Sequence, residues 1–313
     1  MTSRIPSVSI IIPNWNGERL LRKNLPKVIQ AVKLSSCQTE IIVVDDGSTD
    51  ESVEYLKTQN SKLKSVCAGR TTTKNLKLKI VENKENRGFI YSCNRGVKEA
   101  RGEVVVLLNN DVIPEKDFLR YVLPHFEDPK VFAVSFYEPN WSWAKIEWKK
   151  GFIEHSPGTK TNTTHVSAWA SGGSAAFRKS IWQKLGGFDS LFAPFYWEDI
   201  DLSYRAWKRG YQIFWEPKAV VYHQHESTIS RFSADYIRLI SERNRLLFIW
   251  KNITSPRMML EHKFWLGLKF IRNQGYFRPF LAALIKKPQI LSRWLKEFKE
   301  KKVSDREIFD KFR

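Results

Sequence analysis

The sequence predicts an α/β fold: a mostly parallel sheet covered by helices on both faces, followed by a helical, basic C-terminal region. Three observations predict it. Short uninterrupted apolar runs, VSIII at 8–12, IIVV at 41–44 and VVVLL at 104–108, have the length and β-branched content of strands buried on both faces. Segments with apolar residues at helical spacing separate them. Asn14, Asp45, Asp46 and Asp111 each fall just past such a run, at the sheet edge where open α/β sheets bind ligands.

The elements follow in order. The first strand, 8–12, is expected to stop at Pro13, which lacks an N–H. Leu21, Leu25, Val28 and Val32 then mark a helix. After the strand at 41–44, Ser48 and Glu51 have the spacing of a capping box that opens another helix. A basic, Ser/Thr/Asn-rich stretch over roughly 60–76 reads as a surface loop, 78–81 as a third strand and 90–100 as a helix before VVVLL. Beyond 135 the pattern loosens, and the aromatic, polar segment 137–165 predicts a mobile loop. ASGGSAAFRKSIWQKLGGFD restores a Gly-rich turn, a short strand and a helix. FYWEDIDLSYRAWKRGYQIFWEP is a loop running into a helix that ends near Gly210, with a strand after it. AVVYHQH ends the next strand, carrying His223 and His225.

From 235 onward the chain reads as helical, which divides it into a sheet domain over 1–230 and a helical basic region over 231–313. Ile290, Leu291, Trp294, Leu295 and Phe298 mark one apolar face with Arg293, Lys296, Lys299 and Lys301 around it. Such a helix either packs on the body or lies flat on an anionic membrane.

Charge points to the class of partner. The formal net charge is +19, and Lys251 to Arg313 alone holds 16 Lys/Arg against 6 Asp/Glu. An anionic partner is expected: a phosphorylated small molecule, an acidic lipid surface or nucleic acid. No RNA- or DNA-binding motif is present, and the basic excess sits beside an apolar helix face, which argues against nucleic acid. No apolar run approaches the roughly 18 residues of a membrane span, and Met1 to Ser7 does not read as a signal peptide. The expectation is a cytoplasmic protein, peripheral on the inner face of the cell membrane. Cys37, Cys67 and Cys93 follow no metal-ligand spacing and are expected to be reduced and incidental.

Five stretches carry a more specific signal: SIIIPNWNG, IIVVDDGSTD, ENRGFIYSCNRGVKEARGEVVVLLNNDV, ASGGSAAFRK, and WEDIDLSYRAWKRGY followed by VVYH. In this order, over roughly residues 8–225, they resemble the family 2 glycosyltransferases, inverting enzymes of the GT-A fold that use nucleotide-sugar donors. The rhamnosyltransferase-like branch is the most similar. The resemblance implies a UDP- or dTDP-sugar donor, a divalent ion (Mg2+ or Mn2+), and an acceptor hydroxyl on a glycan or a lipid-linked glycan. Asn109-Asn110-Asp111 aligns with the family's metal-holding D-x-D, which makes Asp111 the ligand and puts Asn109 on the ribose or a bound water. His223 would be a further ligand, with His225 as the alternate. Pro13, Asn14, Asp45 and Asp46 would lie beside the base and ribose, Gly88 and Asn94 under the donor, and Arg87 within reach of its phosphates.

The chemistry agrees with these roles. A departing nucleoside diphosphate carries concentrated negative charge that a divalent ion stabilises. Inversion needs one carboxylate to take the acceptor proton, and Asp199 of WEDID matches the family's base. Glu198 and Asp201 are close enough in sequence to raise its pKa or orient it. Trp197 is expected to stack on an acceptor sugar, and Gly172 and Gly173 to let backbone approach the ligands. A sugar nucleotidyltransferase shares the sheet and acidic site but wants a Gly-rich, Arg-bearing loop after the first strand, where PNWNGERL offers a single Gly.

Overall fold

The computed structural model describes residues 4–35, 37–67, 76–224 and 232–313. Four strands, β1 (Val8–Asn14), β2 (Thr39–Asp45), β3 (Lys77–Glu82) and β4 (Val104–Leu108), alternate with helices α1 (Glu18–Leu34), α2 (Ser52–Cys67) and α3 (Phe89–Glu99). Next come β5 (Val112–Pro114), α4 (Phe118–Val122), β6 (Val131–Tyr137), β7 (Ala144–Lys149), β8 (Phe152–Pro157) and β9 (His165–Val166). They are followed by β10 (Ser174–Arg178), α5 (Lys179–Leu185), α6 (Glu198–Lys208) and β11 (Gln212–His223). Helices α7 (Ala234–Asn252), α8 (Pro256–Arg272), α9 (Phe277–Leu284), α10 (Lys287–Glu300) and α11 (Asp305–Asp310) complete the chain.

Among the described residues the main sheet runs β3-β2-β1-β4-β10-β6-β11-β5. The first four strands are parallel; β10 enters antiparallel between β4 and β6, and β11 runs parallel to β6. Strand alternation shows that both faces are covered. Ile10, Ile12, Ile41, Val43, Val104 and Val106 pack with α1, α2 and α4, whereas Ile11, Ile42, Val44, Val105 and Leu107 pack with α3, α5, α6 and the C-terminal helices.

Several local expectations are corrected. β1 continues through Pro13 to Asn14, with Pro13 opposite Val44 of β2. Its other neighbour, β4, pairs only as far as Ile11, so the missing N–H falls where the strand has one partner. Ser48 does not cap α2. Its hydroxyl donates to Asp45 Oδ2 (2.7 Å) and accepts from Asn16 N–H (2.8 Å), tying the loops after β1 and β2 together. Helix α2 extends to Cys67, into the stretch expected to be a loop; residues 68–75 lie outside the described part.

The expected loop at 137–165 contains the β7–β8 hairpin, with Glu147 opposite Glu154 and Lys149 opposite Phe152. Lys150 and Gly151 turn it with φ of 47° and 70°, the two-residue turn whose twist suits paired strands. Ile146, Phe152 and Ile153 are buried, and Glu261 of α8 accepts from Trp148 Nε1 (2.9 Å) and Gly151 N–H (3.2 Å). Short strands without strict alternation hid this hairpin in the sequence.

The C-terminal helices share the core on the α6 side of the sheet through Leu246, Phe248, Ile308 and Phe312. Buried ion pairs reinforce the junction: Lys251 with Asp201 (2.7 Å), Lys208 with Asp305 (3.1 Å) and Arg209 with Glu297 (2.7 Å). The apolar face expected on α10 is divided. Ile290 is buried and Trp294 Nε1 donates to Ile253 O (3.0 Å), while Leu291, Leu295 and Phe298 face outward. Among the described residues no helix is long and apolar enough to cross a membrane. Cys37 and Cys93 are buried free thiols.

Candidate active site

Strand pairing builds the edge that carries Asp111 and His223. β5 returns antiparallel to the end of β11, with His223 opposite Val112, and Gln224 N–H donates to Asp111 O (3.0 Å). His223 Nε2 therefore lies 3.1 Å from Asp111 Oδ1, and its Nδ1 lies 3.2 Å from Glu138 Oε2. Burial opposes a charge on this imidazole, yet the hydrogen bonds to Asp111 and Glu138 prevail and raise its pKa to about 9. Asp111 is buried and its Oδ2 has no hydrogen-bond partner. Glu138, just past β6, was missed by sequence reasoning because β6 itself went unrecognised; an acid directly after a strand end was the available signal. His225 lies outside the described residues.

Gly172 and Gly173 join this edge to Asp199. Gly172 N–H donates to Asp199 Oδ2 (3.2 Å), and Gly173 O accepts from Asn109 N–H (2.9 Å). A Cβ on Gly173 would come within 2.5 Å of the Asn109 side-chain Nδ2, so a larger residue there would force the Asn109 side chain to shift. The Asp199 carboxylate and the Asn109–Asp111 segment thus flank one dipeptide, and Ser174 Oγ donates to Glu138 Oε1 (2.6 Å) on the way out of it.

Glu198 and Asp199 open α6 side by side. Burial pushes both carboxyls above their ordinary range, and the negative Asp199 pushes Glu198 further. Asp199 alone is steadied by two backbone donors, Gly172 N–H and Ile200 N–H (2.8 Å), whereas Glu198 Oε2 has no hydrogen-bond partner. The shared negative charge therefore belongs on Asp199. Asp201 makes its hydrogen bonds elsewhere, and its charge adds only a smaller upward push on Glu198. It is fully buried and bonds Arg205 Nε (2.8 Å), Lys251 Nζ (2.7 Å) and Asn252 Nδ2 (2.8 Å), holding α6 to α7. Trp197 is only 5 % exposed and packs on Phe248 and His155, so its ring is a wall of the core and not a platform for a sugar.

On the donor side the acids are engaged by the protein. Asp45 accepts from Ser48 N–H (2.9 Å), Ser48 Oγ and Asn14 Nδ2 (3.0 Å). Asp46 accepts from Asn83 Nδ2 (2.6 Å), Arg87 N–H (3.0 Å) and Gly88 N–H (2.7 Å). Asp46 therefore anchors the loop opening α3, a structural duty that the sequence did not reveal. Asn94 donates to Phe188 O (2.8 Å) and accepts from Phe188 N–H (3.0 Å), tying α3 to the loop after α5. Asn110 donates to Asn14 Oδ1 (2.8 Å), linking the ends of β1 and β4. Gly88 adopts φ of 87° at the start of α3, and the exposed Arg87 guanidinium lies over Tyr91 at 4.0 Å.

Residues 9–186 match Glycosyl transferase family 2, and residues 104–285 match Glycosyl transferase family group 2. The chain belongs to glycosyl transferase family 2. It is 27% identical over 245 residues to the probable glycosyltransferase YdaM of Bacillus subtilis (strain 168), covering 72% of this chain and 52% of that protein. It is 28% identical over 222 residues to the poly-beta-1,6-N-acetyl-D-glucosamine synthase of Staphylococcus aureus (strain COL), covering 69% and 49%. The chain spans about half the length of these curated relatives. GalNAc-T7, solved with UDP, GalNAc and Mn2+, superposes with a TM-score of 0.61 at 18% identity, covering 81% of this chain and 49% of that one. The mannosyltransferase PcManGT of Pyrobaculum calidifontis, with GDP-Man and Mn2+, gives 0.57 at 19% identity, covering 92% and 76%. S. aureus TarS 1-349 with UDP-GlcNAc gives 0.54 at 16% identity, covering 93% and 79%. These likenesses establish the GT-A fold for this family 2 chain.

The residues at the Asp111–His223 edge fit a divalent ion. One imidazole, two carboxylates and an orphaned Asp111 oxygen are the donor types such an ion takes. Among the described residues no three such side chains are already set around a common point, because the His223 ring lies between the acids. A ligand imidazole is neutral, so if His223 held an ion, uptake would be coupled to loss of its proton.

The loop leading to the Glu198–Asp199 pair is held from α7. Tyr196 and Trp197 take φ of 70° and 77°, each costing on the order of 1–3 kcal/mol in residues with a side chain. Asn244 Nδ2 lies 2.7–2.9 Å from the carbonyls of Phe192, Phe195 and Tyr196, and its Oδ1 accepts from Arg243 Nε (3.0 Å). Nothing in the family resemblance pointed to Asn244; a fully buried amide in the apolar stretch RNRLLFIW was the signal. Asn244→Asp is expected to lower kcat more than Asn244→Ala, since it turns a carboxylate oxygen toward carbonyls, while donor KM stays near the parent value. Steady-state kinetics on both variants reads this; equal kcat for all three proteins would remove Asn244 from the positioning role.

Proposed function

We propose that the protein is a metal-dependent inverting glycosyltransferase, moving a sugar from a UDP- or dTDP-linked donor to a hydroxyl of a glycan or lipid-linked acceptor at an anionic membrane surface. One observation carries the reading: the half-buried Asp199 carboxylate accepts from Gly172 N–H, and the next residue, Gly173, pairs with Asn109 of the segment that leads to the Asp111–His223–Glu138 cluster. The family's members that make polysaccharide and the nucleotide-sugar complexes of its fold relatives support it.

In this mechanism Asp199 takes the proton of the acceptor hydroxyl as that oxygen attacks the anomeric carbon from the side opposite the diphosphate. The Gly172 and Ile200 N–H groups keep its carboxylate ionised and oriented for that transfer. Glu198, protonated, adds no second negative charge beside the attacking oxygen. Asp111, His223 and Glu138 would hold the divalent ion, which when bound neutralises the charge of the departing diphosphate. Asn110, through Asn14, fixes the ends of β1 and β4 beneath the donor. The β7–β8 hairpin and the segment after it are the proposed acceptor side.

Removing the ion tests the reading. Chelation with EDTA is expected to abolish transfer from UDP- and dTDP-sugars, with Mn2+ or Mg2+ restoring it; undiminished turnover in EDTA would point to a metal-free mechanism. Thermal stabilisation by a panel of both donor classes, with and without Mn2+, identifies the nucleotide.

A further inference from the structure

The C-terminal helices present an apolar surface that the fold leaves uncovered. Of the large hydrophobic side chains exposed among the described residues, ten of sixteen lie between 260 and 298. They are ordered. On α8, Leu260, Phe264 and Ile271 recur at i, i+4 and i+11 and are 62–79 % exposed. On α9, Phe277, Leu281 and Leu284 recur at i, i+4 and i+7, as do Leu291, Leu295 and Phe298 on α10. Each stripe lies on one face of its helix, and the opposite faces are anchored inward by Leu266, Ala283 and Ile290. Isolated exposed hydrophobes need no explanation; three successive outward stripes do.

Charge identifies the occupant. Exposed Lys263, Arg272, Arg278, Lys287, Lys296 and Lys299 are interleaved with the stripes. Between 256 and 302 the chain has three acids, and all are turned to the protein: Glu261 accepts from Trp148 and Gly151, and Glu297 and Glu300 bind Arg209. An outward face with apolar rows, cations and its three acids each bonded within the protein, Glu300 alone remaining partly exposed, complements an anionic bilayer. Its side chains insert below headgroups while the cations meet lipid phosphates. We infer that α8, α9 and α10 form a docking surface for anionic lipid bilayers. The inference gives a place to the membrane partner of the proposed function but does not depend on the transfer reaction. Both α9 and α10 pack on α7, the helix whose Asn244 holds the loop before Asp199, so one helix separates the docked surface from the chemistry.

Co-sedimentation of the full chain with vesicles of phosphatidylcholine alone and with added phosphatidylglycerol tests it. Binding is expected only with the anionic lipid, falling with salt and about fivefold for each of Lys263, Arg278 or Lys287 changed to Gln. The triple variant Leu260→Ser/Phe264→Ser/Leu291→Ser is expected to lose binding while keeping the parent's circular dichroism and its turnover on a soluble acceptor. Absence of binding to anionic vesicles by the parent chain would overturn the inference and leave the transferase reading intact. So would concentration-dependent self-association abolished by the same triple variant, which would assign the face to a second copy.

Discussion

Asp199→Asn is expected to cut kcat by about 10²–10⁴ while donor affinity stays near the parent value. The asparagine keeps the shape but cannot take a proton, and its single carbonyl oxygen can replace only one of the two oxygens that accept from Gly172 and Ile200. The adjacent Glu198→Gln variant is the contrast. A buried, protonated Glu198 differs little from glutamine in charge or shape, so turnover is expected to remain within about tenfold of the parent. Because burial raises the Asp199 pKa, the acid limb of kcat/KM should lie above the range of an ordinary aspartate, activity falling as pH drops through it. Turnover assays of both variants across pH decide the matter. If Asn at 199 works as well as Asp, or if Gln at 198 is the damaging change, the assignment of the base moves to Glu198 or fails.

Asp201→Asn is expected to act on stability, two residues away in the same motif. It leaves Arg205 and Lys251 buried with one carboxylate fewer between them, a loss of roughly 3–5 kcal/mol for a broken buried pair. Asp189 still binds Lys251 (2.8 Å), which places the expected value at the lower end. Urea unfolding should show a lower midpoint, and turnover per folded molecule should stay close to the parent's. An unchanged midpoint would mean that the junction of α6 and α7 is held by its apolar contacts alone.

The contrast between Asp199 and Asp201 shows how far the sequence could be read. WEDID displayed three acids at a helix start, and the resemblance picked Asp199 from them. Position along the helix decided the rest: Asp201 points toward α7, where Lys251 approaches from 50 residues away. The same limit applied to the donor side. Asp45 and Asp46 do fall at the end of β2, Asp45 as its last residue, but their partners, Asn14 at the end of β1 and the Arg87–Gly88 backbone before α3, come from elsewhere in the chain. Glu138 was missed because the apolar run VFAVSFY at 131–137 was not read as a strand, so the acid directly past its end went unnoticed.

Apolar runs and strand-end polar residues determined the α/β architecture by themselves, since a run that long and that apolar has to be buried on both faces wherever the chain goes. Side-chain partners across the sheet edge were decided only in three dimensions. The antiparallel return of β5 to β11 sets His223 against Asp111, and the Gly172-Gly173 dipeptide takes Asp199 on one residue and Asn109 on the next. Hydrophobic burial is a local property of a segment, whereas hydrogen bonding and ion pairing need a particular second group at 3 Å.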